Sequence, residues 1–377
     1  MKILFIAEGL DRPEAHVMAG LAGRGAEISL FLPPGQPTPE VLTGRVMRRD
    51  VPLKSRMDRA STRIFREFLR EEEVDVIHCL RGNRPLATLL PALRPEPLPG
   101  RASPRLVAYR GIMGNISRWN PGAWMTYLHQ RVDRIVCVCD AVRHSLLDAG
   151  LPSGRLVTIY KGHDPAWYRD QAPPDLTSLG IPRGAFVVGC AAQMRPRKGI
   201  DVLIRSIDHL TPSRPVHYLL IGDRLDPLID KLAARAPYRD LVHPVGYRKD
   251  AAALSGACDV CVMPSLRREG LPRSVIEAMC QAVPAVVTRV GGMPELVADG
   301  ESGLVVPPND PAAMGVAISR FANDAALYAR CAKGALDRIR SAFNVEGTVE
   351  RTWALYEELV PATSHPCPLP GETPAPP

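Results

Sequence analysis

Short, unbroken apolar runs recur along the chain at residues 3–7, 27–32, 74–79, 105–109, 134–139 and 156–160. Continuous rather than alternating apolarity is what a strand buried on both faces requires, and such strands belong to parallel sheets. The intervening stretches carry helical spacing, as at 13–24, where a helix is expected to end near Gly25. Strand followed by helix, repeated, predicts a doubly wound α/β domain over the first half. A break with Pro165, Pro173 and Pro174 spans 164–178 and reads as a linker. The alternation restarts at 186–191 and continues through 217–221, 241–245, 259–264, 285–288 and 303–306, with helices expected over 201–210 and 273–281. A second α/β domain of the same kind is therefore predicted.

Composition narrows the class without changing the architecture. At 377 residues, 46% apolar and 23% charged, the chain is globular and long enough for two domains. It contains no apolar run of the ~18 residues a membrane-spanning helix needs. The N-terminal run is cut by Glu8, Asp11 and Arg12, too early for a secretory leader, so a cytoplasmic location is expected. The nine cysteines include Cys137-Val-Cys139 and Cys258-x-x-Cys261, both on strand-like runs with no second pair or histidine cluster to complete a zinc set. They are expected to be buried, reduced thiols.

Charge is uneven. Residues 1–165 hold 24 Lys and Arg against 17 Asp and Glu, whereas the remainder holds 23 of each. Arg59, Arg63, Arg66 and Arg70 fall at spacings of four, three and four, along one stripe of a helix whose other stripe is Ala60, Ile64, Phe65, Phe68 and Leu69. A solvated helix face accounts for this, and so does a surface for anionic lipid or a phosphorylated acceptor. No nucleic-acid module or stacking aromatics accompany the charge, which argues against nucleic acid.

Chemistry concentrates in two motifs. Glu269-Gly-Leu-Pro-Arg-Ser-Val-Ile-Glu277 follows the run 259–264 and opens a helix. The first N–H groups of a helix lack internal acceptors and sit at its positive end, so they favour anions. A carboxylate at that point is suited to accepting hydroxyl hydrogen bonds from a sugar. Glu277 is expected two turns on, on roughly the face of Glu269. The other motif, Gln193-Met-Arg195-Pro-Arg197-Lys198-Gly-Ile-Asp201, leads from a strand to a helix. Its cations would stand at the carboxyl edge of the sheet, where α/β ligands bind and where fixed positive charge stabilises a departing diphosphate.

The paired glutamates, together with Val283-Pro-Ala-Val-Val-Thr288 and the Gly291-Gly-Met-Pro-Glu295 segment, resemble the Glu-x7-Glu signature of family 4 retaining glycosyltransferases of GT-B fold. The resemblance runs from Met1 to about Val360. It implies two Rossmann-like domains facing each other across a cleft: an acceptor-side domain over 1–165 and a nucleotide-sugar-binding domain over 166–343. A helix within 344–360 would cross back to the first domain, and the Pro-rich tail 361–377 is expected to be disordered. It further implies transfer of a sugar from a nucleoside diphosphate to a hydroxyl of a glycan or lipid-linked acceptor, with retention and front-face attack. The basic first half fits an anionic, lipopolysaccharide-type acceptor and a peripheral position on the inner face of the membrane.

By this resemblance Glu269 meets the donor sugar and Glu277 the ribose, while Arg195 and Lys198 grip the diphosphate. Arg195 stands in for the family arginine, whose position is Gln193 here. Gly270 and Leu271 would present backbone donors, and Gly246, in Val-Gly-Tyr, would lie by the base. Gly9, where the family has a glycine pair, would lie by phosphate. Arg110, in place of a family histidine segment, would meet an anionic group of donor or acceptor. His78 and His163 fall at positions that are mostly structural. With no Asp-x-Asp motif, neither metal nor cofactor is expected. Rival readings are a sugar-nucleotide epimerase or phosphorylase of the same fold and a degenerate sugar-nucleotide binder. A dinucleotide oxidoreductase would need Gly-x-Gly-x-x-Gly after the first strand, which Ala7-Glu8-Gly9-Leu10-Asp11 lacks.

Overall fold

The computed structural model describes residues 1–360 other than 94–101, 115, 118, 170–173 and 225. The expected disordered tail at 361–377 lies outside the described residues. Two parallel sheets organise the chain. The first contains β1 (Lys2–Ile6), β2 (Glu27–Leu32), β3 (Val46–Asp50), β4 (Val76–Cys79), β5 (Arg105–Arg110), β6 (Arg134–Cys137) and β7 (Leu156–Thr158), in the order β3-β2-β1-β4-β5-β6-β7. The second contains β8 (Phe186–Ala191), β9 (Val216–Ile221), β10 (Val242–Gly246), β11 (Val260–Met263), β12 (Ala285–Thr288) and β13 (Gly303–Val306), in the order β10-β9-β8-β11-β12-β13. The order reverses direction between β1 and β4 in one sheet and between β8 and β11 in the other, so each has a topological switch point where α/β sheets bind ligands.

The strands formed where unbroken apolarity placed them. β8 and β9 are buried nearly throughout, and Val188, Tyr218, Leu220, Val260 and Val286 pack with Ile204 and Ile318 into one core of the second sheet. β3 was not legible as a strand, because Val46-Met-Arg-Arg-Asp is polar and only partly buried at the sheet's edge. The arginine stripe lies on a helix as expected, Arg59–Glu71, capped by the Asp58 carboxylate. Phe65 and Phe68 are buried against Phe31, and Arg59, Arg63, Arg66 and Arg70 face outward.

By packing, the chain separates into two compact units. One comprises Met1–Tyr109, Pro121–Ile135 and the stretch from Val349; the other comprises Arg110–Asn120 and Val136–Thr348. The first unit is closed by the end of the helix Val345–Leu359, where the Tyr356 hydroxyl meets His78 Nδ1 at 2.6 Å, both side chains being buried. The expected linker at 164–178, of which 170–173 lie outside the described residues, needs correction at its start. Asp164 caps a 3-10 turn, Pro165–Tyr168, whose Trp167 and Tyr168 are buried among Val275, Ile276 and Met279 of the second unit. Two large aromatic rings remove more apolar surface from water than a linker could leave exposed.

Candidate active site

The loops after β8 and β11 flank the second sheet's switch point and carry both motifs. The β8 loop closes with a 3-10 turn, Pro196–Lys198, and Gly199 in the left-handed region at φ 66°. A Cβ on Gly199 would stand 2.2 Å from the Pro264 carbonyl oxygen, so only glycine lets the two loops meet here. Leu266 N–H then donates to the Arg197 carbonyl at 2.9 Å, locking one loop to the other.

This closeness brings Lys198 onto Glu269. The Lys198 ammonium donates to Oε1 at 3.1 Å and Oε2 at 2.8 Å, with the two side chains 12% and 10% exposed. Arg197 stands 3.8 Å from Oε2, and the buried Ser265 hydroxyl donates to the same oxygen at 2.9 Å. Thr288, buried at the end of β12, donates its hydroxyl to the Ser265 carbonyl. Arg195 is exposed at the mouth of the turn, as is Gln193. A cluster of cations therefore surrounds one buried carboxylate at the carboxyl edge of the sheet.

The Glu269 loop is held from several sides. Arg268 takes φ 59°, a left-handed conformation that costs a residue with a Cβ about 1 kcal/mol. Gly291, at φ 58°, lies so close that a Cβ would stand 1.9 Å from the Glu269 carbonyl oxygen. Gly270 rests on the Gly111 carbonyl, where a Cβ would be 2.3 Å away. Gly292 fits against Cys139 and the Gly270 carbonyl in the same manner.

The two glutamates do not share a helical face. Glu269 precedes Pro272, which is the N-cap of the helix Arg273–Cys280, so only Glu277 is helical. Glu277 pairs with Arg273 one turn earlier, at 3.2 Å. Leu271 is half-buried and packs its side chain on the Val275 and Met293 core. Gly246 ends β10 at φ 69° with open space where a Cβ would point, followed by the exposed Tyr247. Arg110 is buried, and its guanidinium donates to the Gly114 carbonyl. Gly9 lies after β1, at the first sheet's switch point, and a Cβ there would make only an ordinary contact with Gln36, at 3.5 Å. The fold of this loop therefore does not itself demand glycine. Beside it Arg81 bridges Asp11 and Glu14, at 3.0 and 2.6 Å, and Arg84 meets Glu8 at 3.4 Å.

Glu295 has a role its own segment does not disclose. Its carboxylate accepts from the Asp140 and Ala141 N–H groups, each at 2.7 Å, and from the Tyr160 hydroxyl at 3.2 Å. It thereby caps the helix Asp140–Asp148, whose own N-cap, Cys139, makes no side-chain cap bond. Burial and the Glu295 charge push the Tyr160 hydroxyl up to about 12, keeping it a donor. Burial also pushes the Cys137, Cys139 and Cys190 thiols up to about 12, so none is a ready thiolate. The eight cysteines among the described residues are buried and reduced. His163, also buried, has its Nδ1 3.3 Å from the Lys161 carbonyl.

Known proteins give the family. A family model described as Glycosyltransferase Family 4 matches residues 15–167, and one described as Glycosyl transferases group 1 matches residues 185–324, the half that carries both motifs. The chain belongs to glycosyltransferase family 4. Among its relatives is a lipopolysaccharide core biosynthesis mannosyltransferase of Rhizobium meliloti, 29% identical over 67% of this chain and 73% of that protein. A lipopolysaccharide core biosynthesis glycosyltransferase of the same organism is 26% identical over 91% of this chain and 94% of its own length. A D-inositol 3-phosphate glycosyltransferase of Streptomyces avermitilis is 34% identical, over 42% of this chain and 36% of that protein.

Solved structures agree on the fold of this glycosyltransferase. A glycosyltransferase from Rickettsia africae superposes with a TM-score of 0.78 at 16% identity, covering 96% of this chain and 99% of that one. HepE of Anabaena, solved with UDP-glucose, gives 0.75 at 20% identity over 95% of this chain and 100% of its own. Sequence reasoning named Arg195, Lys198, Glu269 and Glu277, of which the structure joins Lys198 to Glu269, and as site features it named none of Ser265, Thr288 or the reach of Glu295 to Asp140. Hydroxyls before a motif carry no periodic or charge signal, and a cap supplied from 155 residues away has no local signature.

Proposed function

We propose that this glycosyltransferase moves a sugar from a nucleoside diphosphate to a hydroxyl of an envelope glycan or glycolipid, with retention of anomeric configuration. The observation that carries this reading is the Lys198–Glu269 pair beside Arg197, at the switch point between β8 and β11. Lys198 spends two donors on one carboxylate. Among the described residues its third proton has only the weak acceptor Met263 Sδ, 4.0 Å from the nitrogen, and so remains available to an anionic ligand. With Arg195 it stabilises the charge that forms on the departing diphosphate, without a metal. Glu269 accepts hydroxyl protons of the sugar, Glu277 those of the ribose, and the Gly270 and Leu271 backbone faces the sugar and phosphates. Gly246 lies by the base, Gly9 by phosphate, and Arg110 by an anionic group. No carboxylate is assigned as nucleophile, which separates this chemistry from the two-carboxylate scheme of glycosidases. The names of the lipopolysaccharide-core relatives support the acceptor class, and the UDP-glucose bound to HepE supports the donor class.

The test is proton NMR of the product formed from UDP-glucose, GDP-mannose or ADP-glucose with an alkyl glycoside acceptor. An axial donor should give an axial product; an equatorial product refutes retention, and epimerised donor without transfer would establish the epimerase instead.

A peripheral membrane position, on the cytoplasmic face, is proposed from the exposed Arg59, Arg63, Arg66 and Arg70. No helix among the described residues is long and apolar enough to cross a membrane. Each arginine near an anionic surface contributes about 1 kcal/mol, so reversing Arg59, Arg63 and Arg66 to Glu should weaken binding to phosphatidylglycerol vesicles more than a hundredfold. Unchanged co-sedimentation would refute the surface.

A further inference from the structure

We infer that Ser265 is a positioning residue for the transfer: its hydroxyl sets the rotation of the Glu269 carboxylate and, through it, the place of the Lys198 ammonium. The inference rests on the reading of this site as the donor site. Ser265 is fully buried, and its hydroxyl donates to Glu269 Oε2 at 2.9 Å. That oxygen also receives Lys198 at 2.8 Å, while among the described residues Oε1 receives Lys198 alone, at 3.1 Å. Arg197, at 3.8 Å, also favours Oε2, but of the two only the hydroxyl is within hydrogen-bond distance, so it sets the difference between the carboxylate oxygens.

The backbone around it needs no help from that hydroxyl. Leu266 N–H holds the Arg197 carbonyl at 2.9 Å, Gly199 packs on the Pro264 carbonyl, and Gly291 packs on the Glu269 carbonyl. Thr288 grips Ser265 through its carbonyl oxygen, a group that survives removal of the side-chain hydroxyl. What the hydroxyl adds is the last torsion of Glu269, which the loop leaves unfixed. Lys198 follows that carboxylate because two of its three donors are spent on it. An ammonium displaced by a fraction of an ångström still binds a diphosphate that is already charged. It fits less well the charge that grows as the glycosidic bond breaks, so its displacement lowers kcat more than it raises the donor KM.

The experiment is steady-state kinetics of the whole chain with UDP-glucose, GDP-mannose and ADP-glucose, in wild type, Ser265→Ala, Glu269→Ala and the double variant, each with a melting curve. Loss of a hydrogen bond to a charged group predicts that Ser265→Ala lowers kcat about tenfold while the donor KM stays within about threefold. Added to Glu269→Ala, it should cost nothing further, because its target is gone. An unchanged kcat in Ser265→Ala, or the same tenfold loss in both backgrounds, overturns the inference. Should Ser265→Ala fail to fold, Ser265→Cys fills the space with a weak donor. A lowered kcat in that variant, with wild-type melting, supports the role, and an unchanged kcat overturns it. Wild-type turnover with an unaffected Ser265→Ala removes this inference alone, whereas a wild type that turns over none of the three donors removes the donor-site reading as well.

Discussion

Replacing Lys198 by Met should destabilise the second unit although it removes a charge that is only 12% exposed. The ammonium is 12% exposed and its partner Glu269 10% exposed, so deletion leaves a nearly buried carboxylate with the Ser265 hydroxyl and a distant Arg197. Breaking a fully buried pair costs about 3–5 kcal/mol. Arg197, 3.8 Å from Oε2 and 29% exposed, has room to approach and recover part of this, so about 2 kcal/mol is expected. For a unit of roughly 200 residues each kcal/mol moves the midpoint by about 2–4 °C, giving a fall of about 4–8 °C. The companion variant Lys198→Met/Glu269→Leu removes both charges and should return to within about 1 kcal/mol of wild type, because desolvation largely cancels the attraction of such pairs. Differential scanning calorimetry of the three proteins at pH 7 reads both shifts. A Lys198→Met midpoint equal to wild type would refute the reasoning, and so would a double variant less stable than either single one.

Other consequences are more local. His78, buried with Nδ1 against Tyr356 and Nε2 without a hydrogen-bond partner among the described residues, is pushed down to about 3 by burial. Its folded value lies below the ordinary one near 6.5, so the unfolded chain takes up the proton first. Stability from this site is complete above about pH 6.5 and falls by up to about 1.4 kcal/mol per pH unit below it. Melting curves at pH 7, 6 and 5 should show a shallower slope in His78→Gln, and parallel slopes would contradict the assignment. Glu295→Ala orphans the Asp140 and Ala141 N–H groups and should cost about 1–2 kcal/mol in calorimetry, with Glu295→Gln recovering about half; a neutral Glu295→Ala would remove the cap. Gly291→Ala must push on the Glu269 carbonyl and should abolish donor turnover, whereas Gly246→Ala meets open space and should cost only the ~1 kcal/mol of its positive φ. Equal melting losses in the two alanine variants would show that the close approach is not what fixes Gly291.

The parts of the molecule legible in advance were those where one residue type answers one physical demand. Unbroken apolar runs marked twelve strands, and Phe186–Ala191, Ala285–Thr288 and Gly303–Val306 fell where expected to the residue. β3 escaped because an edge strand with Arg48 and Arg49 need not be apolar on either face. Trp167 and Tyr168 escaped because prolines at 165, 173 and 174 suggest a linker, although the rings between them are core. At the site, the charges of Arg195, Lys198, Glu269 and Glu277 were visible, but their partners were not. That Glu269 turns onto Lys198 and Glu277 onto Arg273 depends on where Pro272 starts the helix and on how Gly199, Gly270 and Gly291 let backbones touch. Those contacts are set by tertiary packing, which periodicity does not encode.

The central claim, that the second sheet's switch point holds a nucleoside-diphosphate sugar, is tested most directly by isothermal titration of the whole chain with UDP-, GDP- and ADP-sugars, with NAD as the control. The account predicts saturable binding of a nucleoside-diphosphate sugar, lost in Lys198→Ala and weakened in Glu277→Ala. Binding of NAD alone, or sugar-nucleotide binding indifferent to Lys198, would contradict it.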